Sequence, residues 1–281
     1  MTSTSGIHDI YAVIDLGGDQ RSAKVAIDLA RRNDAHLTGL SFAFQPIIPV
    51  YTMAAPVPTD FIVAAHEHAI ADAKAAAAKF EASAKASGVV FNARCLESMP
   101  GDGFEGAVRA FQLSDLVVVG QQDPDRLEPM REGLIEALLF QAGVPVLLIP
   151  HGGVSTFTPD RAVIAWDSTA TAARSVRASM PLLSQAKEVH VVTIAEERKH
   201  VEVPGTGLAR YLSRHNMQVE TSQVDSAARD TGSAILEFAN AKNADWIVMG
   251  AFGHSRVREF FLGGATRAML SSATLPVFMA H

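Results

Sequence analysis

At 281 residues the chain is long enough for one large domain or two of about 140 residues each. Hydrophobic residues at 48% against charged residues at 19% exclude a disordered chain. A net charge of −6 argues against wholesale binding to nucleic acid or an anionic membrane.

No apolar run reaches the ~18 residues a transmembrane helix needs. The opening "MTSTSGIHDI" lacks the basic and apolar regions of a signal peptide. Cys95 is the one cysteine, so no intrachain disulfide is possible. A cytoplasmic location is the expectation.

In chain order, "IYAVIDLGGDQRSAKVAIDLARRNDAHLTGLSFAF" reads as strand, acid (Asp15), turn, helix and strand. A proline-rich loop, "QPIIPVYTMAAPVPTD" (Gln45 to Asp60), follows. After it comes a long alanine-rich helix, "FIVAAHEHAIADAKAAAAKFEASAKASG". Then "FEGAVRAFQLSDLVVVG" reads as a helix and a strand ending in Gly120, and "QAGVPVLLIPH" closes the half. From Arg161 the order repeats. "RAVIAWDSTATAARSVRASMPLLSQAKEVHVVTIAE" is strand, acid (Asp167), helix, strand. "VEVPGTGLARYLSRHN" predicts only a short second helix. "SAILEFANAKNADWIVMG" is a helix and a strand ending in Gly250, and "SATLPVFMAH" closes the chain.

Self-similarity at this period implies duplicated domains rather than a solenoid. The strand runs are continuously apolar, as in a parallel sheet covered on both faces. The expected fold is α/β: two tandem doubly wound, Rossmann-like domains, each a five-stranded parallel sheet flanked by helices. The domains are placed at 1–150 and 160–281, with a linker at 151–159 rich in glycine, serine, threonine and proline.

The segment "MGAFGHSRVREFFLGGAT" carries the chemistry. In such sheets ligands bind beyond the carboxyl ends of the strands, where strand order reverses. Asp167 and Gly250 end neighbouring strands there, so the acid and the glycines face one crevice. Gly250 and Gly253 let backbone approach a ligand closely. Gly263 and Gly264 open a helix whose free N–H groups suit phosphate. A mononucleotide fits, with phosphates at the glycines and adenine or ribose near Asp167.

Gly250, Gly253 and Gly263 show the spacing glycine, two residues, glycine, nine residues, glycine. With Asp167 and the final "PV" strand, this resembles the universal stress protein family in its tandem, two-domain form. The resemblance implies a stress-response regulator that binds ATP or AMP, with or without Mg2+, in the second domain. It implies that Asp167, Ile194 and Met249 line the adenine pocket. It further implies that Gly250, Gly253, Gly263, Gly264 and Ala265 hold ribose and phosphates. The family's usual serine or threonine is Gly264 here, and Thr266 or Ser255 is the candidate for a substitute hydroxyl. No catalytic residues and no metal ligands are assigned, and at most weak ATPase activity is expected. The alternatives are a nucleotide-independent ligand-binding or interaction module, or a slow ATP-using enzyme. A homodimer, or an intramolecular pseudo-dimer through the last strands, is the expected assembly.

Aligned from the final "PV" runs, Glu132 and Gly133 stand where Gly263 and Gly264 stand, and Asp123 falls near Gly253. Two carboxylates near a phosphate site repel an anion. The first domain is therefore expected not to bind ATP in the family manner, although Asp15 is present. Its proline-rich loop suggests a packing role or an apolar small ligand. No Walker phosphate loop is present. "PGTGLAR" reads as a helix N-terminal turn, and "DLGGDQRS" as a turn before the first helix. His66 and His68, two apart on a helix, cannot easily chelate one metal. His254, Arg256 and Arg258 are exposed loop residues or phosphate neighbours, and Cys95 is inert.

Overall fold

The computed structural model describes residues 6–44, 59–98, 104–124, 128, 130–153, 155–195, 205–225, 230–252 and 264–281. The first half contains β1 (Asp9–Val13), α1 (Arg21–Asn33), β2 (His36–Phe44), α2 (Thr59–Ala86) and β3 (Phe91–Ser98). It continues with α3 (Glu105–Phe111), β4 (Leu116–Gly120), α4 (Arg131–Ala137), a π-helical turn (Leu138–Ala142) and β5 (Val146–Ile149). The second half repeats the order with β6 (Arg161–Ala165), α5 (Ala170–Leu183), β7 (Glu188–Ala195), α6 (Thr206–Ser213) and β8 (Val219–Asp225). It ends with α7 (Thr231–Ala241), β9 (Trp246–Gly250), α8 (Gly264–Ser272) and β10 (Val277–Ala280).

The strands form one ten-stranded sheet in the order β3-β2-β1-β4-β5-β10-β9-β6-β7-β8. Each half is a parallel five-stranded sheet with β1 or β6 at its centre, as the apolar runs predict. The halves meet edge to edge: β10 pairs antiparallel with β5, Phe278 opposite Leu147. Two sheet edges that would otherwise stay unpaired thereby satisfy each other.

Both faces of the sheet are covered. On one face Ile10, Ala12 and Leu37 pack with Val25 and Leu29 of α1 and Phe80 of α2, and Ile164 and Val191 pack with Val176 of α5 and Leu212 of α6. On the other, Val13 and Val117 meet Phe111 of α3 and Leu134 of α4, and Ile247 meets Ile235 of α7 and Met269 of α8. Each fully buried side chain of this size contributes roughly 1.5–3 kcal/mol by leaving water. The alanine stripe of α2 lets it lie close, with Phe80 set over Gly39 of β2. A Cβ at Gly39 would come within 2.5 Å of that ring.

Local chemistry sets the helix ends. Thr169 caps α5 by accepting the Ala172 N–H, and Asp230 caps α7 by accepting the Ser233 N–H. Gly205, at φ 88°, makes the left-handed turn into α6 that the "PGTGLAR" run predicts. α6 is short, 8 residues against 28 for α2. The tract between the halves is anchored rather than loose: Phe157 is buried edge-on against Trp246 at 5.6 Å. Arg21 donates to the His151 carbonyl at 2.6 Å, and Arg32 donates to the Phe157 carbonyl. Among the described residues, no helix is long and apolar enough to cross a membrane.

Candidate functional site

Each half has a crevice beyond the carboxyl ends of its central strands, where β1 separates β2 from β4 and β6 separates β7 from β9. The two crevices differ sharply.

In the first half, Asp15 follows β1 and points across the crevice. Its Oδ2 accepts from Ser22 Oγ at 2.6 Å, and its Oδ1 pairs with the Arg131 guanidinium at 2.9 Å. Arg131 opens α4 and its side chain is only 3% exposed. It also pairs with Glu128 at 2.5 Å and donates to the Gly120 carbonyl at 3.1 Å. Burial by itself disfavours the charged guanidinium. The carboxylates of Asp15 and Glu128 more than offset that and hold it above its ordinary pKa. Arg131 stays charged at every accessible pH.

This corrects the physical reason for expecting no family-style nucleotide site in the first half. Glu132 is exposed on the first turn of α4 and does not line the crevice. Asp123 faces His151, 3.5 Å away. The dominant feature is a cation, not repulsion between carboxylates. Arg131 engages the acid that a ligand would otherwise engage.

Aromatic packing fills the rest. The β1–β2 register sets Val13 beside Leu40, and the β6–β7 register sets Ala165 beside Val192. Counting on from those pairs, Phe42 occupies the position of Ile194. Phe42 stacks on Phe44 at 5.6 Å and lies 6.4 Å from Phe111. The apolar recess left between Val13, Ile14, Leu16, Phe42 and Leu134 holds about 10 Å³. That is no more than one water molecule's room, so these residues accommodate no apolar ligand. The proline-rich loop, residues 45–58, lies outside the described residues. A polar cavity of about 280 Å³ remains beside the triad, lined by Asp15, Gly17, Gly18, Arg21, Gln121 and His151 among others.

In the second half, Asp167 follows β6 and is exposed. Its Oδ1 accepts from the Thr169 N–H at 3.0 Å and the Thr169 hydroxyl at 2.6 Å. These bonds hold the turn before α5, in which Ser168 takes φ +62°. Among the described residues Asp167 makes no ion pair. Ile194 is half-buried near the end of β7, and Met249 is buried near the end of β9. The β6–β9 register puts Ala165 beside Met249, so Asp167 and Gly250 lie on adjacent strand ends. Gly264 opens α8 and is exposed, with no atom within 4 Å of where a Cβ would stand. Ala265 is half-buried beside it. Gly253, Gly263, Ser255, His254, Arg256 and Arg258 lie outside the described residues.

Two assignments sharpen. A Cβ at Gly250 would stand 2.6 Å from the Ala172 N and 2.8 Å from Thr171 Oγ1. Gly120 is equally crowded, its Cβ falling 2.6 Å from Asp15 Oδ1. Both halves need glycine there so that the fourth strand can pass the first strand's loop, whatever is bound. Thr266 is buried, and its hydroxyl accepts the Phe252 N–H at 3.1 Å. That hydroxyl is engaged inside the fold rather than aimed at a phosphate.

Arg131 is what sequence reasoning missed. Its position, one residue before the glutamate aligned with Gly263, was visible, but a lone arginine at a helix start carries no signal of burial. The other histidines are ordinary: His66 lies 3.9 Å from Glu97, and His68 lies 3.9 Å from Asp72.

Residues 163–281 match the family model described as the universal stress protein family. A universal stress protein of Synechocystis sp. is 24% identical over 195 residues, covering 65% of this chain and 60% of the relative. The chain thus spans less than two thirds of that relative's length. Among solved structures, a universal stress protein from Archaeoglobus fulgidus superposes with a TM-score of 0.71 at 17% identity, over 97% of this chain and 95% of that one. A functionally unknown protein from Pseudomonas aeruginosa superposes with a TM-score of 0.57 at 13% identity, over 98% and 92% of the two chains. At these identities the structural likeness speaks for the fold.

Proposed function

The chain belongs to the universal stress protein family through its second half, and from that premise we propose that it is a stress-response regulator whose second half alone binds an adenine nucleotide, ATP or AMP. One observation carries the reading: of two equivalent crevice acids, Asp15 is neutralised by a buried arginine, whereas Asp167 is exposed and makes no ion pair among the described residues.

Asp167 accepts a hydrogen bond from the adenine amino group or a ribose hydroxyl. Ile194 and Met249 supply the apolar walls for the base. The N–H groups that open α8 at Gly264 and Ala265, with Gly250, Gly253 and Gly263, meet ribose and phosphate. Helix-terminal N–H groups and the helix dipole favour an anion there. The absent Cβ at Gly264 leaves close approach open. Nucleotide binding stabilises the folded chain by mass action, about 2.7 kcal/mol at a hundredfold excess over Kd. Occupancy of the second half can bias assembly or partner docking in that way.

The experiment is thermal unfolding of the full chain with ATP, ADP and AMP, alongside mass spectrometry of nucleotide released on gentle denaturation. A rise in midpoint that disappears in Gly253→Glu supports the reading. A midpoint indifferent to all three nucleotides, with none released, refutes it.

A further inference from the structure

The first half does more than close the sheet edge: it reaches the strand exit from which the second half's glycine segment begins. Phe252 follows β9 and directly precedes Gly253 in sequence. It takes φ +53°, a left-handed conformation that a bulky side chain rarely adopts. Such a residue persists only where its surroundings hold it.

Three contacts do so. The Phe252 N–H donates to the Thr266 hydroxyl at 3.1 Å, tying the exit of β9 to the first turn of α8. Its ring lies 4.7 Å from the ring of Phe140. Phe140 belongs to the first half and sits in the π-helical turn Leu138–Ala142. The third contact is indirect: the His281 imidazole lies 4.3 Å from Phe140 on centroids, and its Nδ1 donates to the Ala251 carbonyl at 3.0 Å. That bond fixes the residue before Phe252, whose own N–H donates to the Ala280 carbonyl at 3.0 Å. The π-helical turn has a specific consequence. An extra residue in the helical turn displaces the side chains that follow it, and here the displaced ring meets the other half.

We propose that Phe140 is a positioning residue for the second half's binding crevice. From across the β5–β10 seam it holds Phe252 in the left-handed conformation, and so sets the direction in which the chain leaves β9. The first half, which keeps the fold while its own crevice is filled, acts as a template for its neighbour's site. That last step rests on the nucleotide reading above, whereas the effect of Phe140 on Phe252 does not.

The test uses the full chain and two readouts. The first is hydrogen exchange of the Phe252 amide without ligand, with the Val248 amide of the same strand as the internal reference. Phe140→Ala is expected to speed exchange at Phe252 by about tenfold while Val248 keeps its rate. The second is titration with ATP and AMP, where Phe140→Ala is expected to raise Kd by about fivefold. Phe252→Gly removes both the strained side chain and the need for support. Adding Phe140→Ala to it is therefore expected to change Kd by less than about twofold. Unchanged protection at Phe252, or equal acceleration at Val248, overturns the proposal. So do additive effects of the two substitutions on Kd. If Phe140→Ala does not fold, Phe140→Leu, which keeps apolar volume but not the ring, takes its place with the same expectations. A chain that binds neither nucleotide, yet shows the selective acceleration at Phe252, refutes the nucleotide reading and leaves the clamp standing.

Discussion

The two crevices began from one plan and have come to opposite states. Both follow a central strand, both carry an acid there, and both need a glycine at the end of the neighbouring strand to clear the loop. In the first half a buried guanidinium joins Asp15 and Glu128, and Phe42 fills the space beyond. In the second half Asp167 is exposed, Ile194 stands where Phe42 stands, and the helix beyond opens on glycine. The difference teaches that a nucleotide-type crevice is lost without loss of the fold, because the fold's requirements and the ligand's requirements fall on different residues. Gly120 and Gly250 serve the fold. The acid's partner and the residues that open the last helix decide what binds.

The sharpest way to break the comparison is to remove the internal cation. Arg131→Ala strands Asp15 and Glu128 in a crevice with no counter-charge, and loss of one member of a buried ionic group costs about 3–5 kcal/mol. Equilibrium unfolding in urea is expected to show a loss of that size. No comparable loss is expected for Arg174→Ala on the exposed face of α5. An Arg131→Ala chain as stable as the parent would mean that the triad contributes nothing.

Asp167→Ala tests the other side. A hydrogen bond to a charged acceptor is worth about 1.5–3 kcal/mol, roughly a tenfold to hundredfold rise in nucleotide Kd. Asp15→Ala is expected to leave that Kd unchanged. Calorimetric titration checks both, and equal effects of the two substitutions would erase the asymmetry between the halves.

The shared glycines come next. Gly120→Ala and Gly250→Ala each force a Cβ against a loop atom 2.6 Å away, so each is expected to destabilise by about 1–3 kcal/mol through overpacking. The loss should appear with and without nucleotide. If Gly250→Ala leaves stability intact and lowers only affinity, its role belongs to the ligand instead.

The smallest effect concerns acid sensitivity of the second half. The Ser233 hydroxyl and N–H bonds to Asp230 lower its pKa. A carboxylate with a depressed folded value stabilises the fold above its ordinary value of about 3.9, and that contribution is lost as pH falls through the folded value. Asp230→Ala is expected to cost about 1 kcal/mol at neutral pH by uncapping α7. The cost should shrink toward zero as the parent is acidified. Unfolding midpoints measured at neutral and at strongly acid pH decide it.

Much of this was legible in the sequence. The repeat, the apolar strand runs, the short second helix of the second half and the glycine spacing are all periodic or local signals, and local signals survive in one dimension. Edge pairing through the last strands came from the family resemblance, and the antiparallel β5–β10 contact is its physical form. What stayed hidden depended on residues far apart in sequence. Arg131 reads as an ordinary helix-opening residue until Asp15 is brought to within 2.9 Å of it. Phe140 and Phe252 read as core residues of separate halves until the seam stacks them. Thr266 reads as a spare hydroxyl until the Phe252 N–H reaches it.

The sequence by itself determined the architecture and where a ligand would enter, because strand burial, helix caps and glycine turns are set by neighbouring residues along the chain. Only the tertiary structure decided which crevice is open. Occupancy of a cavity is a matter of charge and volume in three dimensions. There the packing of one arginine and one phenylalanine outweighs the motif around them.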